Sequence, residues 1–445
     1  MSIGRRATSI LRSVGIAAIV CAGLVGTTPV CPEELSRFER ERARMMLNIV
    51  RKDLDKYYYD DTFHGLKLDE AFKVALERIE QAKSVSQLFA AISRPLLQLN
   101  DSHTFFRPPG RSARIKFGYQ MKMIGDRCFI TAVQQGSDAE ARGLKKGDLV
   151  LEIDGHKPTR QNLWGMYYVH RLLAPRASLP LLIQGPGSEP RKVEVNAKVE
   201  EGKSVQRLTT SAGMGDFIRE LEDEAYLSRH RYQEIGDNLL IWKMPSFDLT
   251  ADEVRTEMMR RVKKRTALIL DLRSNPGGAV ETLEAMVGGF IGPQTKIGDL
   301  KAREPERPMM SSKVGEVYDG RIVVLVDSDS GSASELFARV MQLAGRAQVI
   351  GDRTSGSVME SRSFSHMIGD NSGIFFATSI TIADIIMSDG KSLEHVGVVP
   401  DEVLLPTAED LAAGRDPVLA RAASICGVEM DSAKAGAFFP YEWKR

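Results

Sequence analysis

Disulfide chemistry has little to work with in this 445-residue chain, which has four cysteines, Cys21, Cys31, Cys128 and Cys426, too few and too scattered for a disulfide framework. Cys21 lies in an apolar N-terminal run, Cys128 in the strand-like stretch RCFITAV and Cys426 in a helical tail, settings that suit a small buried hydrophobe. An excess of charge is also missing. Sixty Lys and Arg against 59 Asp and Glu leave a net charge of +1, so no electrostatic case exists for a nucleic-acid partner. No His-Glu-x-x-His and no paired-cysteine spacing occurs, which argues against a zinc site, and nothing asks for another metal or a cofactor. Long apolar runs are scarce. The run VGIAAIVCAGLVG, behind Arg5, Arg6 and Arg12, has the length of a signal-peptide core and falls short of the roughly 20 residues that span a bilayer. Residues 1–30 therefore read as a signal peptide cut near Gly26 or Thr27, giving a periplasmic or secreted protein. Left uncut, the same segment would be a membrane anchor. Val20 and Val30, before Cys21 and Cys31, weigh against a lipoprotein.

What is present is ordinary globular composition, long enough for two or three domains. From 32 to 110 apolar residues recur at helical spacing in RMMLNIVRKDLDKYYY, DEAFKVALERIEQA and SVSQLFAAISRPLLQL, with Ser84 as an N-cap, which predicts a small helical domain. From 112 to 200 the pattern changes to alternation. FGYQMKMIGDRCFITAV predicts two strands and a turn, followed by a short helix ending at Gly143, a strand LVLEIDG, a helix over Trp164–Leu173 and a closing strand LPLLIQG. From 213 to 406 buried apolar strands (NLLIWKMPSF, TALILDLRS, RIVVLVDS, AQVIGD) alternate with helices, the signature of an α/β core with parallel strands. Residues 407–445 read as a helical tail.

Four segments carry chemistry. In VVLVDSDSGSASELFARV a strand runs into a small-residue loop and then a helix beginning at Ser332. A serine there suits acyl transfer because free N–H groups at the helix start can hold an oxyanion. Ser332-Ala-Ser-Glu335 equally fits a capping box, the commoner role. In LILDLRSNPGGAVETL the paired glycines Gly277 and Gly278 let backbone approach a ligand, or simply make a turn. In LLQLNDSHTFFRPPG, His103 lies in a loop before a domain boundary. In MSDGKSLEHVGVVPDEVL, Glu394 follows a turn. Each is weak alone.

Together, in this order, they resemble the C-terminal-processing (tail-specific) and tricorn-type serine peptidase family. GSDAEARGLKKGDLVLEIDG resembles a PDZ module, and LDLRSNPGG, DSDSGSASELFA, GRAQVIGDRTSG and SLEHVGVVPD resemble that family's crotonase-like (ClpP/crotonase) α/β peptidase core. The resemblance implies an exported serine endopeptidase acting on polypeptides, unfolded or with free C-termini, through an acyl-enzyme on Ser332. In one branch a lysine base follows in Thr-Phe-Gly-Lys, but Thr354-Ser355-Gly356-Ser357 puts serine there. In the tricorn-like branch the base is a histidine in Asp-x-His, oriented by a glutamate in Glu-x-x-Gly-Val-x-Pro. Asp101-Ser102-His103 and Glu394-His395-Val396-Gly397-Val398-Val399-Pro400 match both. The implied triad is Ser332, His103 and Glu394, with an oxyanion hole from Gly277 or Gly278 and Ala333, and Ser102 supporting the histidine. Ser334 as nucleophile, Asp101 or Asp389 as the orienting carboxylate, and His395 as base stay open. The PDZ resemblance implies peptide capture at Phe117, Gly118, Tyr119 and Gln120. The alternative is a catalytically inactive relative acting as a peptide-binding scaffold.

Overall fold

A computed structural model describes residues 35–110, 113–201, 229–369 and 373–443. The predicted signal peptide with Cys21, the following Cys31, and residues 213–228 of the predicted core lie outside them.

Three helices open the described chain: α1 (Arg37–Tyr57), α2 (Leu68–Gln81) and α3 (Val85–Leu97). Helix α1 starts where Ser36 accepts the Glu39 N–H (3.2 Å) and Glu39 returns its carboxylate to the Ser36 N–H (2.8 Å), a reciprocal cap. Ser84 caps α3 as its sequence position suggests, accepting the Gln87 N–H at 3.3 Å. Strand β1 (Phe105–Arg107) follows. The apolar faces of α1–α3 pack on Phe106, Ile368, Phe376 and Ile380, so these helices close over a sheet contributed from much later in the chain.

Next come β2 (Ala113–Lys116), β3 (Tyr119–Ile124), β4 (Arg127–Val133), α4 (Asp138–Ala141), β5 (Leu149–Ile153), α5 (Leu163–Tyr167), β6 (Ser178–Gln184), β7 (Arg191–Asn196) and β8 (Lys198–Glu201). Strands β3 to β7 form one antiparallel sheet in chain order, with β3 at its edge, and β2 pairs with β8 where the segment enters and leaves. The helix expected over Trp164–Leu173 divides into α5 and a wider π-helical turn, Tyr168–Leu173.

The remaining chain runs β9 (Arg231–Ile235), β10 (Leu239–Lys243), α6 (Ala251–Arg260), β11 (Ala267–Asp271), α7 (Val280–Phe290), β12 (Lys296–Lys301), β13 (Arg307–Met310), β14 (Arg321–Val326), α8 (Ala333–Leu343), β15 (Gln348–Gly351), β16 (Met359–Ile368), β17 (Ile374–Met387), β18 (Glu402–Val403), α9 (Ala408–Ala413), α10 (Pro417–Ile425) and α11 (Ser432–Gly436). Six strands in the order β18-β15-β14-β11-β10-β9 make the main sheet, parallel except for β9 against β10. Its central strands are apolar on both sides because α6–α8 cover one face and α10–α11 the other. The sequence reading expected parallel strands here and a helical tail. It missed a second, antiparallel sheet, β1-β17-β12-β13 with β16 on β17. In β16, MESRSFSHMI, polar residues outnumber apolar ones, so no buried-strand signal stood out. That sheet positions the N-terminal loop described next.

Candidate active site

Strand β14 delivers the chain to Asp327, and a tight loop, Ser328–Gly331, leads to Ser332 at the head of α8. Ser332 has φ 53° and ψ −120°, a conformation that a residue with a side chain adopts only at a cost of about 1–3 kcal/mol and that is stored typically at working sites. Its hydroxyl makes no cap hydrogen bond. The Glu335 carboxylate accepts the Ser332 N–H at 3.0 Å, the backbone arm of the expected capping box. Ser334 is fully buried and donates to the Asn275 carbonyl at 2.8 Å, which removes it as an alternative nucleophile.

Glycine is required beside Ser332. A Cβ on Gly277 would lie 2.6 Å from the Ser332 Cβ and 2.8 Å from the Ala333 nitrogen, and a Cβ on Gly278 would lie 2.2 Å from the Phe247 carbonyl oxygen. The predicted donor Gly277 needs correction, because its N–H already donates to Asn275 Oδ1 at 2.8 Å. The amides of Gly278 and Ala333 have no acceptor among the described residues, which leaves these two as the candidate oxyanion donors.

The loop between α3 and β1 carries His103. Ser102 Oγ lies 2.7 Å from His103 Nδ1 and donates to Glu394 Oε2 at 2.9 Å, and the Ser102 N–H donates to Glu394 Oε1 at 2.8 Å. Glu394 Oε2 also accepts the Val358 N–H at 2.8 Å. Every partner of this carboxylate is a donor, so it serves as an ionised acceptor. Burial pushes its pKa up and these hydrogen bonds pull it back. Ser102 has one hydroxyl proton and spends it on Glu394, so at His103 it accepts. The proton of the neutral imidazole is thereby placed on Nδ1 and the lone pair on Nε2. Glu394 thus acts on His103 through Ser102 rather than directly. Burial lowers the His103 pKa, with Asp101 opposing.

The alternatives left by the sequence separate cleanly. Asp101 accepts the backbone N–H of His103 (2.9 Å) and of Thr104 (2.7 Å) and the Thr381 hydroxyl (2.7 Å), so it fastens the loop to β17 instead of orienting the ring. Asp389 pairs with Arg339 at 2.6 Å. The His395 ring bonds the Asn100 carbonyl at 2.7 Å.

Two clusters therefore exist, Ser332 with Gly277, Gly278 and Ala333, and His103 with Ser102 and Glu394. No hydrogen bond joins Ser332 to His103. The segment Thr354–Val358 links the clusters. Ser357 accepts the Ser332 N–H on its carbonyl at 2.8 Å, and the next residue donates to Glu394. Glu335 anchors this segment. Its carboxylate accepts from Thr354 Oγ1 (2.5 Å), Ser355 Oγ (3.1 Å), Gly356 N (2.8 Å) and Ser357 N (3.0 Å), and burial pushes its pKa up to about 7. From sequence Glu335 reads only as a cap residue, since no local pattern announces a buried carboxylate that serves a loop 20 residues on.

Of the predicted peptide-capturing residues, Phe117 and Tyr119 belong to the interior of the β3–β7 module. Gly118 turns with φ 73° and gives its carbonyl to the Gln134 N–H at 2.8 Å. Gln120 lies in β3. The space between β3 and the α5 segment is about 10 Å³, lined by Met121, Met166 and Tyr167 among others. Cys128 is buried, which pushes its thiol up to about 12. Among the described residues no His, Cys, Asp and Glu cluster suits a metal, and no helix is long and apolar enough to cross a membrane.

Residues 238–404 match the family model of peptidase family S41, and residues 110–164 match the PDZ domain. The chain is 26% identical over 355 residues to the tail-specific protease of Haemophilus influenzae, covering 75% of this chain and 48% of that one. It is 24% identical over 369 residues to the carboxy-terminal processing protease CtpA of Bacillus subtilis, covering 80% and 67%. It thus spans about half the length of the first of these relatives. Among solved structures, mature CPAF superposes with a TM-score of 0.60 at 17% identity over 84% of this chain and 94% of that one. The photosystem II D1 C-terminal processing protease gives 0.51 at 17% identity over 89% and 99%. At such identities the superpositions speak for the fold.

Proposed function

We propose that this chain, a member of peptidase family S41 with a PDZ domain, is an exported serine endopeptidase that cleaves polypeptides with Ser332 as nucleophile, His103 as general base and Glu394 acting through Ser102. The observation that carries this reading is the hydrogen-bonded run Glu394–Ser102–His103, which leaves His103 Nε2 as the unshared lone pair. A histidine in that state accepts a serine proton near neutral pH. Ser332 attacks the scissile carbonyl. The developing oxyanion meets the Gly278 and Ala333 amides at the head of α8. The imidazolium gives its proton to the leaving amine, and water repeats the sequence on the acyl-enzyme. The core carrying Ser332 is then of the crotonase-like type, with the helical segment 32–110 lending the base. Export rests on the N-terminal apolar run and its arginines.

The absent Ser332–His103 hydrogen bond favours one rival, an inactive scaffold that binds peptides. Apo catalytic contacts often tighten only with substrate bound, so this geometry is compatible with activity. A fluorescent fluorophosphonate decides. The wild-type protein is expected to label covalently and to cleave an unfolded polypeptide, with both lost in Ser332→Ala. Absence of labelling and cleavage in the wild type, or their persistence in Ser332→Ala, would refute the assignment.

A further inference from the structure

We propose that Lys122, carried by β3 of the PDZ domain, is a positioning residue for hydrolysis, clamping the two loops that frame Ser332. The inference rests on the reading of Ser332 as nucleophile.

Lys122 Nζ reaches Asp327 Oδ2 at 2.5 Å, Ser274 Oγ at 2.5 Å and Asp329 Oδ2 at 3.3 Å. These partners sit at the heads of two different loops. Ser274 opens Asn275–Gly278, which carries one oxyanion donor. Asp327 and Asp329 open the loop to Ser332 and Ala333, which carries the nucleophile and the other donor. The loops are cross-linked beyond the clamp. Asp327 Oδ1 accepts the Ser274 N–H at 2.8 Å, and the Gly331 N–H and the Ser334 hydroxyl both reach the Asn275 carbonyl, at 2.9 and 2.8 Å. Lys122 closes the outer end of this zipper from a separate domain.

The charge of Lys122 is what matters. Burial alone would push its pKa down, but Asp327 and Asp329 more than reverse that, so the ammonium stays protonated. Without it the mostly buried Asp327 carboxylate would lose its ammonium partner and face the exposed Asp329 carboxylate, and repulsion would move the 327–330 loop. A displacement of about 1 Å at reacting groups costs up to roughly a hundredfold in rate.

Docking of the PDZ domain does not depend on Lys122 alone. Ser328 Oγ donates to the Met123 carbonyl at 2.6 Å, the Gly125 N–H donates to Asp352 Oδ2 at 2.8 Å, and Arg160 pairs with Asp352 at 2.6 Å. A change at Lys122 therefore reads the clamp with the domains still in contact.

The test compares full-length wild type, Lys122→Met and Lys122→Arg in fluorophosphonate labelling rate, kcat, KM and thermal melting. Lys122→Met is expected to lose roughly ten- to a hundredfold in both labelling rate and kcat, with KM within about twofold, and Lys122→Arg to recover most of the loss. A wild-type labelling rate and kcat in Lys122→Met, a defect confined to KM, or an arginine variant as slow as the methionine one would overturn the proposal. Should Lys122→Met fail to fold, Ser274→Ala removes only one arm of the clamp. It is then expected to lower kcat several-fold at an unchanged melting temperature, and an unchanged kcat would overturn the proposal. Wild-type protein that does not label defeats the nucleophile assignment and this inference with it, whereas labelling that is indifferent to Lys122 defeats this inference alone.

Discussion

Replacing Glu394 by glutamine is expected to damage catalysis more than deleting the Ser102 hydroxyl, although Ser102 alone touches the histidine. In Ser102→Ala the His103 Nδ1–H loses its acceptor at 2.7 Å. The ring can still carry its proton on Nδ1, so the basic Nε2 survives. What is lost is one hydrogen bond that strengthens when the ring becomes an imidazolium, worth about 1.5–3 kcal/mol. At 1.36 kcal/mol per tenfold in rate, that is roughly a ten- to 150-fold fall in kcat. In Glu394→Gln, one carboxylate oxygen becomes an NH2 group. If the NH2 faces Ser102 Oγ, the serine must turn its proton toward His103, the ring proton moves to Nε2, and the base is gone. If it faces the other way, it opposes the Ser102 N–H that now donates to Oε1 at 2.8 Å. A wrong imposed tautomer costs on the order of a thousand- to ten-thousandfold. The assay is kcat and KM on a quenched fluorescent peptide, beside the fluorophosphonate labelling rate and a melting curve for each variant. KM should hardly move in either. A Ser102→Ala loss equal to or larger than that of Glu394→Gln would refute the donor count from which the tautomer was assigned.

The acid limb of kcat/KM should have its midpoint below about 6.5, the ordinary histidine value, because burial lowers the His103 pKa and the neutral ring persists to lower pH; a midpoint above 6.5 in a pH-rate profile would exclude His103 as base in this environment. Ser332→Gly should be inactive yet more stable than Ser332→Ala by about 1 kcal/mol in chemical denaturation, since glycine relieves the strain at φ 53°; equal stabilities would mean that no strain is stored there. Gly278→Ala, whose Cβ would meet the Phe247 carbonyl oxygen at 2.2 Å, should lose roughly a hundredfold or more in kcat by displacing an oxyanion donor, with labelling rate as the check. Thr381→Val removes the hydroxyl that donates to Asp101 at 2.7 Å and should cost about 1–3 kcal/mol of stability together with a several-fold drop in kcat; a kcat untouched by it would show that the His103 loop is held without β17.

The sequence disclosed what is local and repeated. Buried strands such as TALILDLRS and RIVVLVDS announce themselves by continuous apolar runs, and Ser84 by its place before a periodic segment. The candidate site could be suggested only through motif resemblance, because its members come from both ends of the described chain and no spacing rule links residue 103 to residue 394. Donor assignments were out of reach. Nothing in NPGG tells that the Gly277 amide turns to Asn275 while that of Gly278 stays free, since the difference is one peptide's orientation. The second sheet was hidden for another reason. β16 carries Ser361, Ser363 and Ser365 on its more open face, and its pairing with β17 spans ten residue pairs with a register shift that composition does not encode. Glu335 shows the same limit, its cap position being visible and its four further partners at 354–357 not.

Those four partners bear on why the proposed base is a histidine from a distant loop. Residue 357 is where a lysine base would stand, and its surroundings decide what a lysine could do. The Ser357 N–H bonds Glu335 and the adjacent Val358 N–H bonds Glu394, so the position is bracketed by two carboxylates. A lysine base works only when neutral, and nearby carboxylates favour its charged form. A protonated lysine cannot take the serine proton. With serine at 357 the segment needs no ionisable side chain at all. Its backbone does the connecting, taking the Ser332 N–H on one carbonyl and offering one amide to the carboxylate behind Ser102 and His103. The base is then free to arrive from the α3–β1 loop, with its pKa set by burial there and not by the charges around the nucleophile.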